Sequence, residues 1–405
     1  MKTWSTKTMS PALYTCLFWL CTSGLWTTQA ITDEDSSSHR DLAPTNVDFA
    51  FNLYKRLVAL NSDKNTLISP VSISMALAML SLSTRGSTQF LQNLGFNISE
   101  KSEVKIHQGF RYLNSLLQQS DTGLEMNMGN VMFLLQNLKL KDSFLADTKH
   151  YYESEALTIH SKDLTKASEQ INSHVKNKTR GKIEHVVSDL DSSATLILVN
   201  YIFLKGIWKL PFSPENTREE DFYVNETSTV KVPMMVQSGN ISYFRDSAIP
   251  CQMVQMNYVG NGTTFIILPD QGQMDTVIAA LNRDTIDRWG KLVVPRQMNL
   301  YIPKFSMSDT YDLQDVLADV GIKDLFTNQS DFADTTKDTP LTLTVLHKAM
   351  LQLDEGNVLP VATNGTPVHL PSESFTLKYN RPFIFLAFDK FTWSSLMMSQ
   401  VMNPA

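Results

Sequence analysis

The chemistry open to this chain is limited first by what it lacks. His107, His150, His160, His174, His185, His347 and His369 are scattered with no metal-ligand spacing. No Gly-x-Ser-x-Gly, His-Glu-x-x-His, phosphate-binding glycine loop or Cys-x-x-Cys occurs. No enzyme activity, cofactor or metal is therefore expected. Recognition chemistry is better represented. Trp393 can supply an aromatic face, with Lys390 three residues before it. Gln255 sits in an alternating stretch, Cys251 to Val259, on the face of Met253 and Asn257, and can both donate and accept. Arg283 and Asp287, spaced i, i+4, share one helix face. Each also has a plain reading: a half-buried strand tryptophan, a solvated lysine, an ordinary strand glutamine, and a surface ion pair worth about 0.2–0.5 kcal/mol.

A second candidate is a loop near the C-terminus. Leu341 to Leu353 alternates like a strand, and so does Phe375 to Tyr379. Between them, Asp354 to Ser374 holds three prolines, two glycines and no helical period. So long a loop inside a domain is uncommon and usually functional or disordered. Its flanking strands predict an exposed loop tied at both ends. Val361, Ala362 and Val368 are small apolar residues suited to elastase-like proteases.

These groups need a scaffold, and the chain can build one. It has 405 residues, 42% hydrophobic and 19% charged, with a net charge of −6. That is ordinary globular composition with no polycationic character for nucleic acid or anionic membrane. Lys2, Lys7, an apolar stretch from Ala12 to Leu25, and Thr28-Gln-Ala30 read as a secretory leader over residues 1–30, with a second start at Met9. Its removal would leave 33 basic against 41 acidic side chains, a net −8. Cys16 and Cys21 would leave with it, so Cys251 could form no intrachain disulfide. Secretion would make the Asn-x-Ser/Thr sites at Asn97, Asn177, Asn225, Asn240, Asn261, Asn328 and Asn364 meaningful, several of them glycosylated and on the surface.

Residues 31–405 read as one domain, with no linker and no repeat. Val47 to Leu60 has helical apolar spacing. Val71 to Leu80 is apolar nearly all round and predicts a buried helix whose serines need partners. Helices are also predicted over Ile106–Leu117, Asp142–Ser154, Ala167–Lys178, Met274–Trp289 and Tyr311–Asp319. Strands are predicted over Leu124–Leu135, the buried run Thr195–Trp208, Glu219–Tyr223, Val230–Val236, Ile241–Phe244, Met298–Ile302, Pro382–Phe388 and Ser395–Val401. Gly260-Asn-Gly262 marks a hairpin between Cys251–Val259 and Thr263–Leu268. Helices come mostly first and strands mostly later, an α+β order.

Five stretches resemble the serpin family. Asn200-Tyr-Ile-Phe-Leu-Lys-Gly-Ile-Trp208 is similar to its Asn-to-Trp strand, and Ile68-Ser-Pro-Val-Ser-Ile73 to its buried-helix start. His347-Lys-Ala349 is similar to the strand before its reactive-centre loop. Asn380-Arg-Pro-Phe383 and Val401-Met-Asn-Pro404 resemble its C-terminal signature. The resemblance implies a single-domain fold of three β-sheets with surrounding helices and an exposed reactive-centre loop. It also implies suicide inhibition of a serine protease by loop insertion. Here Glu355-Gly356 is followed by Asn357 and Pro360. Burying the amide would cost about 1–3 kcal/mol if unpaired, and the proline removes a ladder donor. Fast insertion is disfavoured.

Asn257-Tyr-Val-Gly-Asn-Gly-Thr263, Arg283 to Trp289 and Phe391-Thr-Trp-Ser-Ser395 resemble the steroid-carrying branch of the family. That resemblance implies a secreted monomeric plasma carrier of cortisol, corticosterone and progesterone. Gln255, Arg283, Asp287, Lys390 and Trp393 would line its site, and Asn46 to Phe51 a further wall. A neutrophil elastase-like protease would cut the loop and lower affinity. A thyroid-hormone carrier and a protease inhibitor are the alternatives.

Overall fold

The computed structural model describes residues 33–83, 91–92, 94–96, 102–119, 123–135, 138–161, 163–319, 342–356 and 375–405. The expected leader, Asn97, Asn328, Asn364, Val361, Ala362 and Val368 lie outside them. The described helices are α1 (Asp33–Leu60), α2 (Pro70–Ser81), α3 (Glu103–Gln118), α4 (Asp142–Tyr152), α5 (Leu164–Lys178), α6 (Met274–Ala280), α7 (Arg283–Leu292) and α8 (Gln314–Asp319). The strands are β1 (Thr66–Ile68), β2 (Leu124–Leu134), β3 (Glu155–Thr158), β4 (Leu196–Gly206), β5 (Arg218–Tyr223), β6 (Thr229–Asp246) and β7 (Cys251–Asn257). They continue with β8 (Gly262–Pro269), β9 (Val294–Pro303), β10 (Phe305–Asp312), β11 (Leu343–Leu353), β12 (Phe375–Lys378), β13 (Phe383–Asp389) and β14 (Ser395–Val401).

Two ladders organise them. One has the order β10-β11-β4-β2-β3, with β11 and β4 parallel at its centre. The other runs β1-β14-β13-β8-β7-β6-β9-β12, with β5 also on β6. Two of the three expected sheets share the 18-residue strand β6. Its first part pairs with β5, its middle with β9 and its end with β7. All twelve residues of α2 are buried, as its all-round apolarity predicts. Of its serines, Ser72 has the partner expected of it, its hydroxyl accepting from Asn200 at 2.7 Å, whereas the Ser74 hydroxyl has none among the described residues.

Several predicted boundaries need correction, the first being the opening helix, which begins at Asp33, ahead of the expected Val47. Val230–Val236 and Ile241–Phe244 are one strand, because Ser238, Gly239 and Asn240 pair with Asn299, Met298 and Gln297 instead of turning. Met274–Trp289 is two helices. Asn282 is extended and its side-chain oxygen accepts from the Thr285 N–H at 2.8 Å, capping a new helix. The apolar period running through Leu281 hid that cap. Tyr311 and Asp312 end strand β10, whose alternate residues from Phe305 to Tyr311 turn inward, and only Gln314–Asp319 is helical.

Candidate ligand site

The hairpin β7–β8 is pinned by close backbone approach. A Cβ on Gly262 would lie 2.5 Å from Leu124 Cδ1, and one on Gly123 would lie 1.7 Å from the Val259 oxygen. Gln255 pairs across the ladder with Phe265, so the two side chains share a face. Phe265 is buried and makes an edge-to-face contact with Phe388, centroids 6.2 Å apart. These rings form an apolar floor. Gln255 is half-buried at its edge, its Nε2 donating to Thr263 Oγ1 at 3.2 Å.

Helix α7 covers this floor. Ile286 and Trp289 anchor it, and Trp289 is fully buried. The Trp289 indole donates to Asp246 Oδ2 at 2.8 Å, and Arg288 donates to the same oxygen. Burial would raise the Asp246 carboxyl, but these donors and the Ala248 and Ile249 N–H groups outweigh it and hold it below the usual range. The stripe Arg283, Asp287, Gly290 runs along one side of α7, and a Cβ on Gly290 would meet Phe265 at 3.8 Å. Arg283 and Asp287 do share a face, but not an ion pair. Arg283 reaches Asp48 of α1 at 3.6 Å, and Asp287 takes Lys291 at 2.6 Å. Asp48 falls within the Asn46 to Phe51 wall expected from sequence. Asn46 itself is buried, its Nδ2 without a partner among the described residues.

Trp393 lies in the turn between β13 and β14, not in a strand. It is 54% exposed, with φ of 53°. A left-handed backbone at tryptophan costs about 1–2 kcal/mol and persists only where surroundings impose it. Asp389 imposes it. Its carboxylate accepts from Thr392 N at 2.6 Å and Thr392 Oγ1 at 2.8 Å, while its own N–H donates to Ser394 O at 3.0 Å. The turn is tied to the hairpin. Lys390 N donates to Asn261 O at 2.9 Å, and Lys390 Nζ to Asn257 Oδ1 at 3.4 Å. Lys390 is therefore not simply solvated. The same turn borders a cleft of about 630 Å³ through Phe391 and Thr392, opposite Leu116 and Met126.

The fold thus brings Gln255, Lys390 and the Trp393 turn to one end of the hairpin, with α7 carrying Arg283 and Asp287 over the adjoining floor. Thr263, Phe265, Phe388 and Asp246 escaped the sequence reading. The first follows directly on the Gly-Asn-Gly turn, which could have marked it. The others are set by packing between distant elements. Asn177, Asn225, Asn240 and Asn261 are all exposed.

The loop root is held differently. Asp354 and Glu355 were expected to begin an exposed loop, yet Glu355 is buried. Asp354 takes Lys205 at 2.7 Å, and its carbonyl accepts from the Trp208 indole at 2.9 Å. Glu355 accepts from Lys304 at 2.8 Å and Thr217 at 2.9 Å. The Trp208 ring stacks on Tyr258 at 4.4 Å, next to Asn257. The buried His347 is structural. Its Nε2 accepts from Ser69 N, so Nδ1 carries the proton to Asn200 Oδ1 at 2.6 Å.

Comparison with known proteins agrees with this architecture. The corticosteroid-binding globulin of Mus musculus is 94% identical over 397 residues, 98% of this chain and all of that protein. That of Homo sapiens is 59% identical, over 97% of this chain and 99% of the relative. Human thyroxine-binding globulin, solved with its hormone, superposes with a TM-score of 0.84 at 35% identity, covering 91% of this chain and 100% of that one. Human kallistatin gives 0.83 at 37%, covering 91% and 99%. The family model for serpins, serine protease inhibitors, matches residues 44–404. With that match spanning the parallel β11–β4 pair, the shared strand β6 and the C-terminal β13–β14 hairpin, the chain belongs to the serpin family.

Proposed function

We propose that the chain is an extracellular, monomeric carrier of glucocorticoids and progestins, bound between α7, α1 and the β7–β8–β13 face. The observation that carries this reading is full-length identity of 94% and 59% to proteins named corticosteroid-binding globulin. Trp393 would stack on the flat steroid, and Gln255, Lys390, Arg283 and Asp287 would meet its oxygens. Burying about 350 Å² of apolar steroid surface contributes roughly 9 kcal/mol gross. Nanomolar affinity needs about 12 kcal/mol net, so polar contacts and a preformed site must supply the rest.

Loop cleavage near Val361, Ala362 or Val368 would lower affinity. The contact chain from Asp354 through Trp208 and Tyr258 to Asn257 and Lys390 supports such coupling. The leader over residues 1–30 and glycosylation at the Asn-x-Ser/Thr sites belong to the same reading. The test is a cortisol titration followed by tryptophan fluorescence, before and after nicking by neutrophil elastase. Saturable nanomolar quenching, about 100-fold weaker in Trp393→Ala and weaker after nicking, is expected. Quenching by thyroxine alone would favour the second reading, a thyroid-hormone carrier, which the thyroxine-bound neighbour suggests. A detergent-stable complex with elastase and no quenching would return the chain to the inhibitors.

A further inference from the structure

We propose that Thr263 is a specificity-determining positioning residue. It orients the Gln255 amide so that its oxygen faces the ligand, which favours a steroid bringing an O–H donor over one bringing only ketones. This rests on the reading of Gln255 as a ligand contact.

Counting protons favours one orientation, the one that keeps both hydrogen bonds of the Thr263 hydroxyl. Thr263 is buried at 1% exposure, and its Oγ1 lies 3.3 Å from the Met256 carbonyl and 3.2 Å from Gln255 Nε2. A hydroxyl has one proton and two lone pairs. The Met256 carbonyl can only accept, and the Thr263 hydroxyl donates to it. What remains is an acceptor, and only the NH2 branch of Gln255 can satisfy it. A flipped amide would either face the Thr263 lone pairs or draw the Thr263 proton away from the Met256 carbonyl, so one of the two hydrogen bonds would be lost. The amide oxygen is thereby left on the opposite branch, at the half-buried edge above Phe265.

Thr263 has little freedom to reorient. Its strand, β8, is central, paired to Asn257 on one side and Phe388 on the other. The preceding Gly262 is wedged against Leu124 and Tyr258. A buried acceptor discriminates against a ligand that leaves it unpaired more strongly than apolar packing can.

The experiment compares corticosterone with progesterone. They share the ring system and both ketones and differ by two hydroxyls. Fluorescence titration of both, on the intact protein and on Thr263→Val, Thr263→Ser and Gln255→Leu, gives a preference ratio for each. Thr263→Val is nearly isosteric but has no hydroxyl, so its amide is free to turn. Its corticosterone affinity should fall about tenfold more than its progesterone affinity. Thr263→Ser should restore the intact ratio. An equal loss for both steroids in Thr263→Val, or an unchanged ratio, overturns the proposal. An unchanged ratio in Gln255→Leu shows instead that Gln255 is no contact, which overturns it as well. Failure of the intact protein to bind either steroid overturns the carrier reading itself.

Discussion

At the loop root, Asp354 and Glu355 are themselves little exposed and each is held by several partners, among them Lys205, Trp208, Lys304 and Thr217. At the candidate site, Arg283, Asp287 and Trp393 stand exposed, and the two charges are met by exposed partners, Asp48 and Lys291. The first arrangement gains from leaving nothing unpaired, because a buried orphan costs about 1–3 kcal/mol. The second gains from spare capacity, since groups already saturated have nothing to offer a ligand. The His347 network belongs with the loop root: Asn200 ties Ser72, Asn130 and His347 together at the centre of the parallel β11–β4 pair.

The contrast is most exposed to test at Asn200. Asn200→Leu should lose about 3 kcal/mol or more in urea unfolding, since it orphans several buried groups at once. A loss under about 1 kcal/mol would place the network outside the saturated class.

Acid should act next, on His347 in the same network and on His107, which bonds Tyr152 between α3 and α4. Burial lowers His347 to about 3 and His107 to about 4, the latter opposed by Glu103. Both fold neutral, so the unfolded state binds more protons between those values and 6.5. Stability is full above pH 6.5 and falls as pH drops, by about 1.4 kcal/mol per histidine per pH unit. A Tm series from pH 7.5 to 5 should show this, and His107→Gln should flatten part of it. A flat wild-type profile would contradict it.

Glu355→Gln should cost about 1–2 kcal/mol at pH 7. Burial works to raise the Glu355 carboxyl, but Lys304, Thr217 and its own backbone outweigh that and depress it. Its contribution is present above pH 4.5 and lost as pH falls below. Wild type and variant should therefore converge in strong acid, and a gap independent of pH would assign the loss to packing.

The smallest effect belongs to the open site. Lys291→Ala removes a surface i, i+4 partner of Asp287 and should change stability by less than about 0.5 kcal/mol. A larger loss would mean that the fold leans on this face as heavily as on the loop root.

Much of this was legible in the chain itself. Periodicity identified α2 and the buried strand β4, because a residue's burial recurs with the local geometry of its element. Gly260-Asn-Gly262 announced the hairpin through its backbone freedom. The Asn200 and His347 stretches carried the family. Partnership between remote side chains was not legible. Arg283 and Asp287 share a face by spacing alone, yet only packing of α7 on α1 gives Arg283 to Asp48. Asn282 could cap a helix or continue one, and the fold of β6 over β7 and β9 decided which turn residues do not turn. Glu355 lies next to a loop in sequence but is buried by Lys304, 51 residues away, and Thr217, 138 away. Local pattern says which face seeks cover. What covers it depends on contacts whose sequence separation carries no periodic signal.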